Sequence, residues 1–427
     1  MEVPRNRQIY LFFETAVTID SGFVQENGQS ATDKLIEDSR AAAVQTLKAM
    51  VAIPSISPLS GGEGESKRAD YLKSLLESFG FKVNRYDYND GKAIRSNLVV
   101  KHGDFASTIW IIAHIDTVSP GDLSLWTHNP FEAYEEEGKI FGRGTSDNGQ
   151  DVVAGIYALK AVRDSGMQNG YNFGLALVAD EEIGSVYGIQ KLMQEGIFGD
   201  NDLFLVPDAG SSDGNEIEIA EKGVLWLKFT TIGKQVHAST PGKGINAYKH
   251  AMHFLDGLED FLYSKYNARD KLFNPDYSTF EVTKHEPNTD STNIIPGIDV
   301  SYMDCRVLPN YRLDEILEDI AIKAREEEKT AEGLQIKTDI FNREDPAQPT
   351  SADSPIVQML NRKVSEKLGV SPHTLGIGGG TCALFFRRKG FPAAVWSIDD
   401  DMAHQPNEYC NIQDMLNDAK VFASLFA

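Results

Sequence analysis

The sequence predicts an α/β protein: a mixed sheet with helices on both faces, into which a compact α+β unit is inserted. Three observations carry that expectation. Between residues 33 and 206, stretches of helical periodicity alternate with short apolar runs, the signature of βαβ units. After about Asn215 the pattern turns to strands of period-two alternation followed by one long helix. From Pro355 onward the first style returns. At 427 residues the chain exceeds one ordinary domain. The implied division is residues 1–218 with 335–427 for the main unit and 219–334 for the insert.

Taken in order, residues 8–13 are apolar and follow Arg5 and Arg7, but Glu14 interrupts them and no small-residue cleavage site follows closely. Residues 1–30 are therefore expected to be an extension or extra strand, not an export signal. A helix is expected over 33–52, stopping before Pro54, and a second over 66–79, with Gly80 at its end. Strands follow at 96–101 and 107–114, the second a nearly continuous apolar run of the kind buried in parallel sheets. A helix begins near Asp147 and carries Val152, Val153, Ile156, Leu159 and Val162 at helical spacing. Strand 172–179, helix 186–196 and strand 202–206 complete this part.

In the insert, 217–232 read as consecutive antiparallel strands. A helix over 247–263, a Pro- and Asn-rich stretch to Pro296, strand 299–308 and helix 313–327 follow. Segment 334–341, helix 355–368 and strand 393–398 resume the α/β style.

Composition narrows the function. Hydrophobic residues make up 41% and charged residues 24%, enough to bury a sizeable core. The net charge of -22 argues against nucleic acid and anionic membrane surfaces, which need clustered Lys and Arg. No run approaches the roughly 18 apolar residues of a membrane span. Three cysteines, Cys305, Cys382 and Cys410, fit a reducing, cytoplasmic setting without a disulfide framework.

In open α/β sheets, ligands gather beyond the carboxyl ends of the strands. Here those ends hold His114 and Asp116, Glu181 and Glu182, Asp208, and an aspartate-rich loop ending in His404, while Asp147 stands at a helix start. Taken singly, His114 reads as a hydrogen-bonded strand-end histidine, Asp147 as a helix cap, Asp208 as a turn residue and the glutamates as a solvated pair. Together, so many carboxylates on one rim would repel one another unless cations neutralise them. Imidazoles and carboxylates without thiolates suit Zn2+, or Co2+ or Mn2+ at the same geometry. Asp116, two residues after His114, is placed to accept from the ring nitrogen that faces away from a metal.

These residues stand in six motifs: Ala-His114-Ile-Asp116-Thr-Val, Gly-Arg-Gly-Thr-Ser-Asp147-Asn, Asp-Glu181-Glu182-Ile-Gly, Pro-Asp208, Lys-Gln-Val-His237-Ala-Ser and Ala-His404-Gln-Pro-Asn-Glu. In that order and spacing, the chain resembles the dinuclear zinc exopeptidases and deacylases of the M20 type. That family includes glutamate carboxypeptidase, carnosinase-type dipeptidases, acetylornithine deacetylase and succinyl-diaminopimelate desuccinylase. The resemblance runs from about residue 35 to the C-terminus. It implies a phosphorylase/hydrolase-like sheet, a lid and dimerisation role for the insert, a homodimer, and two divalent metal ions.

The resemblance also implies roles for single residues. Asp147 would bridge the two metals, with His114 and Asp208 completing one ligand set and Glu182 and His404 the other. Asp147–Asn148 would be a cis peptide. Glu181 would be the general base of a metal-bridging hydroxide that attacks the amide carbonyl. Arg306 would bind a substrate carboxylate, with a surface salt bridge as its alternative. Asn293 reads as a lid residue or a turn residue. Thr381 would donate to substrate from the loop Gly376-Ile-Gly-Gly-Gly-Thr381, which lacks the lysine of a nucleotide-binding loop. His237, alone a strand-end histidine, would reach the partner's active site and stabilise an oxyanion.

His102, His128, His250, His253, His285 and His373 have no partner motif and read as structural or surface residues. The substrate implied is a small peptide or an N-acyl amino acid. An Asp at 208, where the desuccinylases and deacetylases usually have Glu, leans toward the dipeptidase and aminopeptidase branch. A non-enzymatic binding protein on the same fold should have lost a ligand or Glu181, and none is missing. A single-metal hydrolase is the other alternative, against which the bridging position of Asp147 speaks.

Overall fold

The computed structural model describes residues 30–427; the expected N-terminal extension lies outside them. Eight strands form the main sheet, in the order Asn84–Asn89, Ile94–His102, Tyr171–Val178, Ser107–His114, Leu203–Val206, Ala393–Val395, Glu216–Glu221 and His373–Ile377. Its inner pairs, from Tyr171–Val178 through Ala393–Val395, are parallel, and antiparallel contacts flank them, so the sheet is mixed as expected.

The apolar run 107–114 shows why helices must cover both faces. Ile109 and Ile111 point into a core built with helices Arg40–Val51, Ser66–Ser78, Asp151–Ser165, Pro355–Leu368 and Ile412–Ser424. Trp110 and Ile112 point the other way, onto Ile189, Leu192, Ala383 and Phe386 of two short helices. Both faces are therefore dry, which is why the strand does not alternate in polarity. Trp110 also explains a bare backbone beside it. A Cβ on Gly174 would lie 2.3 Å from the indole, so only glycine lets the two strands pack there. The indole N–H is satisfied by Asp202 at 2.8 Å.

The inserted unit is a four-stranded antiparallel sheet in the order Thr279–His285, Ile298–Val307, Gly223–Ile232 and Gln335–Glu344. Helices Ala247–Lys265 and Leu313–Glu328 cover one face, packing Phe254, Leu258, Ile316 and Ile320 against Leu225, Leu227, Met303 and Cys305. The other face turns Trp226, Arg306 and Glu344 toward the main unit.

Three expectations need correction. Strand Gln335–Glu344 pairs along Gly223–Ile232, so the insert's sheet runs past residue 334 and the chain does not return to the α/β style there. Segment 217–232 is not an antiparallel pair. Glu216–Glu221 stays in the main sheet and, after Lys222, Gly223–Ile232 enters the other. The helix expected over 33–52 is broken at Ser39, whose hydroxyl donates to the Leu35 carbonyl at 2.8 Å. Among the described residues no helix is long and apolar enough to cross a membrane. Cys305, Cys382 and Cys410 are all buried free thiols.

Candidate active site

The carboxyl ends of three neighbouring strands deliver the site. Strand Ser107–His114 ends on His114, Tyr171–Val178 runs into Asp180 and the turn Glu181–Ile183, and Leu203–Val206 runs into Asp208. The fourth contribution, Asp147, sits in the turn Ser146–Gln150 that opens helix Asp151–Ser165. His404 comes from the loop after Ala393–Val395. Residues far apart in the chain meet because parallel strands put all their carboxyl ends on one rim.

Two groups of donors result. His114 Nε2 lies 2.7 Å from Asp147 Oδ1 and 3.2 Å from Asp208 Oδ1. His404 Nε2 lies 3.1 Å from Asp147 Oδ2 and 3.0 Å from Glu182 Oε2. Within each group the donor atoms lie within 4.8 Å of one another. Asp147 belongs to both and turns one oxygen to each. The Asp147–Asn148 peptide is cis. Glu181 belongs to neither group, yet it lines both cavities that meet here.

Buried partners hold these groups in place. Asp116 is fully buried, and its carboxylate accepts the Glu181 and Glu182 backbone N–H groups at 3.1 and 3.2 Å. Its expected bond to the His114 ring is made by its carbonyl instead, with Nδ1 at 3.1 Å, while the nearest carboxylate oxygen stands at 3.5 Å. Asp116 thus orients the glutamate pair as well as the imidazole. Asp180 adopts a left-handed φ of 68° and accepts Arg95 Nη2 at 2.6 Å and the Tyr187 N–H at 2.9 Å, which pins the turn. Glu182 Oε1 accepts the Val118 N–H at 3.0 Å and leaves Oε2 for His404.

One supporting residue carried no assignment from the sequence. Glu408 is fully buried and accepts from the Gly144, Ser146 and Asp147 N–H groups at 2.9, 2.9 and 3.0 Å, and from Arg143 Nη1 at 2.6 Å. It fixes the loop that presents Asp147. The signal was present, because Glu408 closes the Ala-His404-Gln-Pro-Asn-Glu motif and a glycine-rich loop offers many unpaired N–H groups. The Asn148 side chain also contributes, donating to the Pro207 carbonyl at 2.5 Å beside Asp208.

The electrostatics fit cations. A cavity of about 200 Å³ is lined by Asp147, Asp151, Glu181, Glu182, Asp208 and Asp399, and among the described residues no Lys or Arg lines it. Burial, reinforced by Asp208, pushes the Glu181 carboxyl well above its ordinary range. Burial likewise raises Glu182 and Asp208. Burial alone would lower His114, but Asp208 and Asp147 beside it hold it well above the usual value. Hydrogen bonds to Asp147 and Glu182 raise His404 to about 10. The carboxylates thus favour positive charge at both rings, and divalent ions binding nitrogen and oxygen at the same positions would compete with protons there. The donor set fits two hard or borderline divalent ions.

The remaining expected residues divide. Arg306 lines a second cavity of about 390 Å³ that shares Glu181, Glu182, Thr381 and His404 with the first. Its Nε and Nη2 bond Asp304 at 2.8 and 3.0 Å, and its Nη1 donates to the Gly378 carbonyl at 2.9 Å. Thr381 lines both cavities, but its N–H and hydroxyl both donate to the buried Glu221, at 2.8 and 2.7 Å. His237 and Asn293 line neither cavity. They meet at one corner of the insert, where the Ala238 N–H donates to the Asn293 carbonyl and His237 Nδ1 lies 2.7 Å from Ser239 Oγ.

Comparison with known proteins gives this geometry its setting. The chain is 38% identical over 401 residues to an uncharacterized metallohydrolase of Methanocaldococcus jannaschii, covering 89% of this chain and 97% of that one. It is 26% identical over 389 residues to a succinyl-diaminopimelate desuccinylase of Orientia tsutsugamushi, covering 90% and 95%. Its fold matches the crystal structure of an M20 family metallo-carboxypeptidase from Sulfolobus solfataricus with a TM-score of 0.73 at 22% identity, over 90% of this chain and 98% of that one. The family model described as peptidase family M20/M25/M40 matches residues 110–427, the span that contains both donor groups. The protein is therefore a hydrolytic enzyme of peptidase family M20/M25/M40.

Proposed function

We propose that the enzyme hydrolyses the amide bond of a small peptide or an N-acyl amino acid, with two divalent ions and Glu181 as general base. One observation carries the reading: Asp147 gives one oxygen to each of two donor groups, and Glu181 stands between the two cavities without joining either group. Zn2+ is the first choice for an imidazole and carboxylate set, ahead of Co2+ and Mn2+. His114, Asp147 and Asp208 would hold one ion, and Asp147, Glu182 and His404 the other. Bound there, the ions supply Lewis acidity toward a carbonyl and acidify water at neutral pH.

The chain's own residues do the rest. Glu181 takes a proton from the attacking water and returns it to the leaving amine. Asp116 and Glu408 hold the backbones of Glu181 and Asp147 so that neither group drifts. Arg306 would offer a substrate carboxylate in the second cavity the N–H groups not taken by Asp304 and the Gly378 carbonyl, and Thr381 stands on the same loop as Gly378. The Asp at 208 favours peptides, and the desuccinylase relative supports N-acyl amino acids as the second reading. Purified protein should hold two divalent ions per chain by elemental analysis and lose its activity to chelators. A screen of dipeptides against N-acetyl and N-succinyl amino acids then identifies the bond. One ion per chain with full activity would overturn the two-ion reading.

The same reading extends to a two-fold dimer in which His237, with Asn293 beside it, serves the partner's site. The outer face of the insert supports it, because Tyr248, Met252 and Val282 there are exposed at 41%, 48% and 39%. Glu181→Ala and His237→Ala should each be nearly inactive. Refolding an equal mixture should recover roughly a quarter of wild-type activity, because half the dimers hold one site with neither lesion. If His237 acts within its own chain, mixing recovers nothing.

A further inference from the structure

The second cavity has a charge pattern that the hydrolytic chemistry does not use. Its floor is the open face of the insert's sheet, where cross-strand pairing sets a row: Arg306 opposite Val224, and Val224 opposite Glu344. Directly opposed residues on neighbouring strands turn their side chains to the same face, so one row presents a cation, an apolar spacer and an anion. Strand spacing puts the two ends roughly 10 Å apart at Cα. The next row is Asp304, Trp226 and Asn342. Trp226 and Phe341 form an aromatic shelf, with ring centroids 5.7 Å apart.

The two ends of the first row are not equivalent. Arg306 is neutralised by Asp304, which also accepts the Trp226 indole N–H at 2.6 Å. Glu344 is half-buried, and among the described residues no guanidinium hydrogen-bonds or ion-pairs with its carboxylate, although Arg388 is near enough to feel its charge. Arg343 pairs with Asp314 and Asp345, Arg387 with Glu218 and Glu221, and Arg388 donates to the Asp345 carbonyl. Lys228, further along the Trp226 strand, does not line the cavity. In the two rows Arg306 is paired with Asp304, while Glu344 has no hydrogen-bond or ion-pair partner among the described residues. Gly380 makes room for it, because a Cβ there would lie 2.7 Å from Glu344 Oε2. A carboxylate without a hydrogen-bond donor among the described residues, beside an aromatic shelf and in the same cavity as Glu181, is built for a cationic guest.

We infer that Glu344, with Trp226 and Phe341, binds an ammonium group of the substrate, so that the enzyme prefers amides carrying a positive charge beside an apolar stem. The inference rests on the amide-hydrolase reading for the bond that is cut. The ammonium can be a free N-terminus or the end of a lysine-like side chain. Two substrate pairs separate these sources: Leu-Gly against formyl-Leu-Gly, and acetyl-lysine against acetyl-norleucine.

In at least one pair the cationic member should have the higher kcat/KM by about tenfold or more, the scale of one charge-assisted hydrogen bond. Glu344→Gln should abolish that preference by lowering the cationic member, with the neutral member changed much less. Calorimetry provides a second readout that needs no turnover. The pentyltrimethylammonium ion, which cannot ligate a metal, should bind wild type more tightly than Glu344→Gln, while pentanol should not distinguish the two. If no substrate is cut but the quaternary ion still binds through Glu344, the hydrolase reading fails and this inference stands. If substrates are cut with no preference that depends on Glu344, or the quaternary ion binds both proteins alike, the inference is overturned.

Discussion

Glu181→Gln should lower turnover by about 100-fold or more while leaving the fold and the divalent ions in place, since a positioned general base contributes on that scale. Glutamine keeps the size of the side chain and can still line both cavities, but it cannot take a proton. The backbone there is tied down independently, through the Asp116 carboxylate and the Glu181 and Glu182 N–H groups, so the change should not move its neighbour. Glu182→Gln is the contrasting variant. Its Oε2 stands 3.0 Å from His404 and within one donor group, so its loss should weaken ion binding first and turnover as a consequence. Elemental analysis and steady-state kinetics on both variants decide the matter. If Glu181→Gln empties an ion site, the roles of the two glutamates are exchanged.

The second large effect is expected from a residue that belongs to neither donor group. Glu408→Ala should destabilise the protein by about 3–5 kcal/mol, the usual cost of leaving one partner of a buried ion pair alone. Arg143, paired with Glu408 at 2.6 Å and with a side chain 2% exposed, would have no counterion. The N–H groups of Gly144, Ser146 and Asp147 would lose their acceptor as well. Because that loop presents Asp147, the variant should also bind divalent ions more weakly. Denaturant unfolding at an unchanged slope measures the first effect and calorimetric titration of the ion the second. A midpoint close to wild type would show that Arg143 finds another partner.

Much of this architecture was legible where burial is complete. The run 107–114 could be placed from sequence because a strand covered on both faces must be apolar throughout. Strand Asn84–Asn89 escaped notice because it lies at the sheet's edge, half-exposed and mostly polar, so nothing in its composition distinguishes it from a loop. Thr279–His285 is hidden for the same reason, with most of its residues exposed. The limit of the insert was misplaced because Gln335–Glu344 is another edge strand, whose partner, Gly223–Ile232, lies more than a hundred residues earlier. Periodicity reports burial, and pairing partners leave no trace in it.

The donor residues could be read because most follow a strand end and Asp147 opens a helix, places where short motifs are informative. What could not be read was commitment. Arg306 and Thr381 look like free donors in the sequence, yet Asp304 and Glu221 already occupy them. Conversely, the availability of Glu344 follows from where four other side chains point, and no local motif records that.

The strand order has a consequence for manufacture. Ala393–Val395 lies between Leu203–Val206 and Glu216–Glu221, so a strand near the end of the chain fills the middle of the sheet. A nascent chain that has emerged only as far as residue 390 carries two strands whose inner edges have no neighbour, and such edges pair readily with those of other chains. His404 leaves the ribosome later still. The inserted unit is complete well before then, since its four strands all lie between residues 223 and 344. Synthesis should therefore pass through a stage in which the insert is folded while the sheet that surrounds the catalytic rim waits, open at its centre, for its last strand.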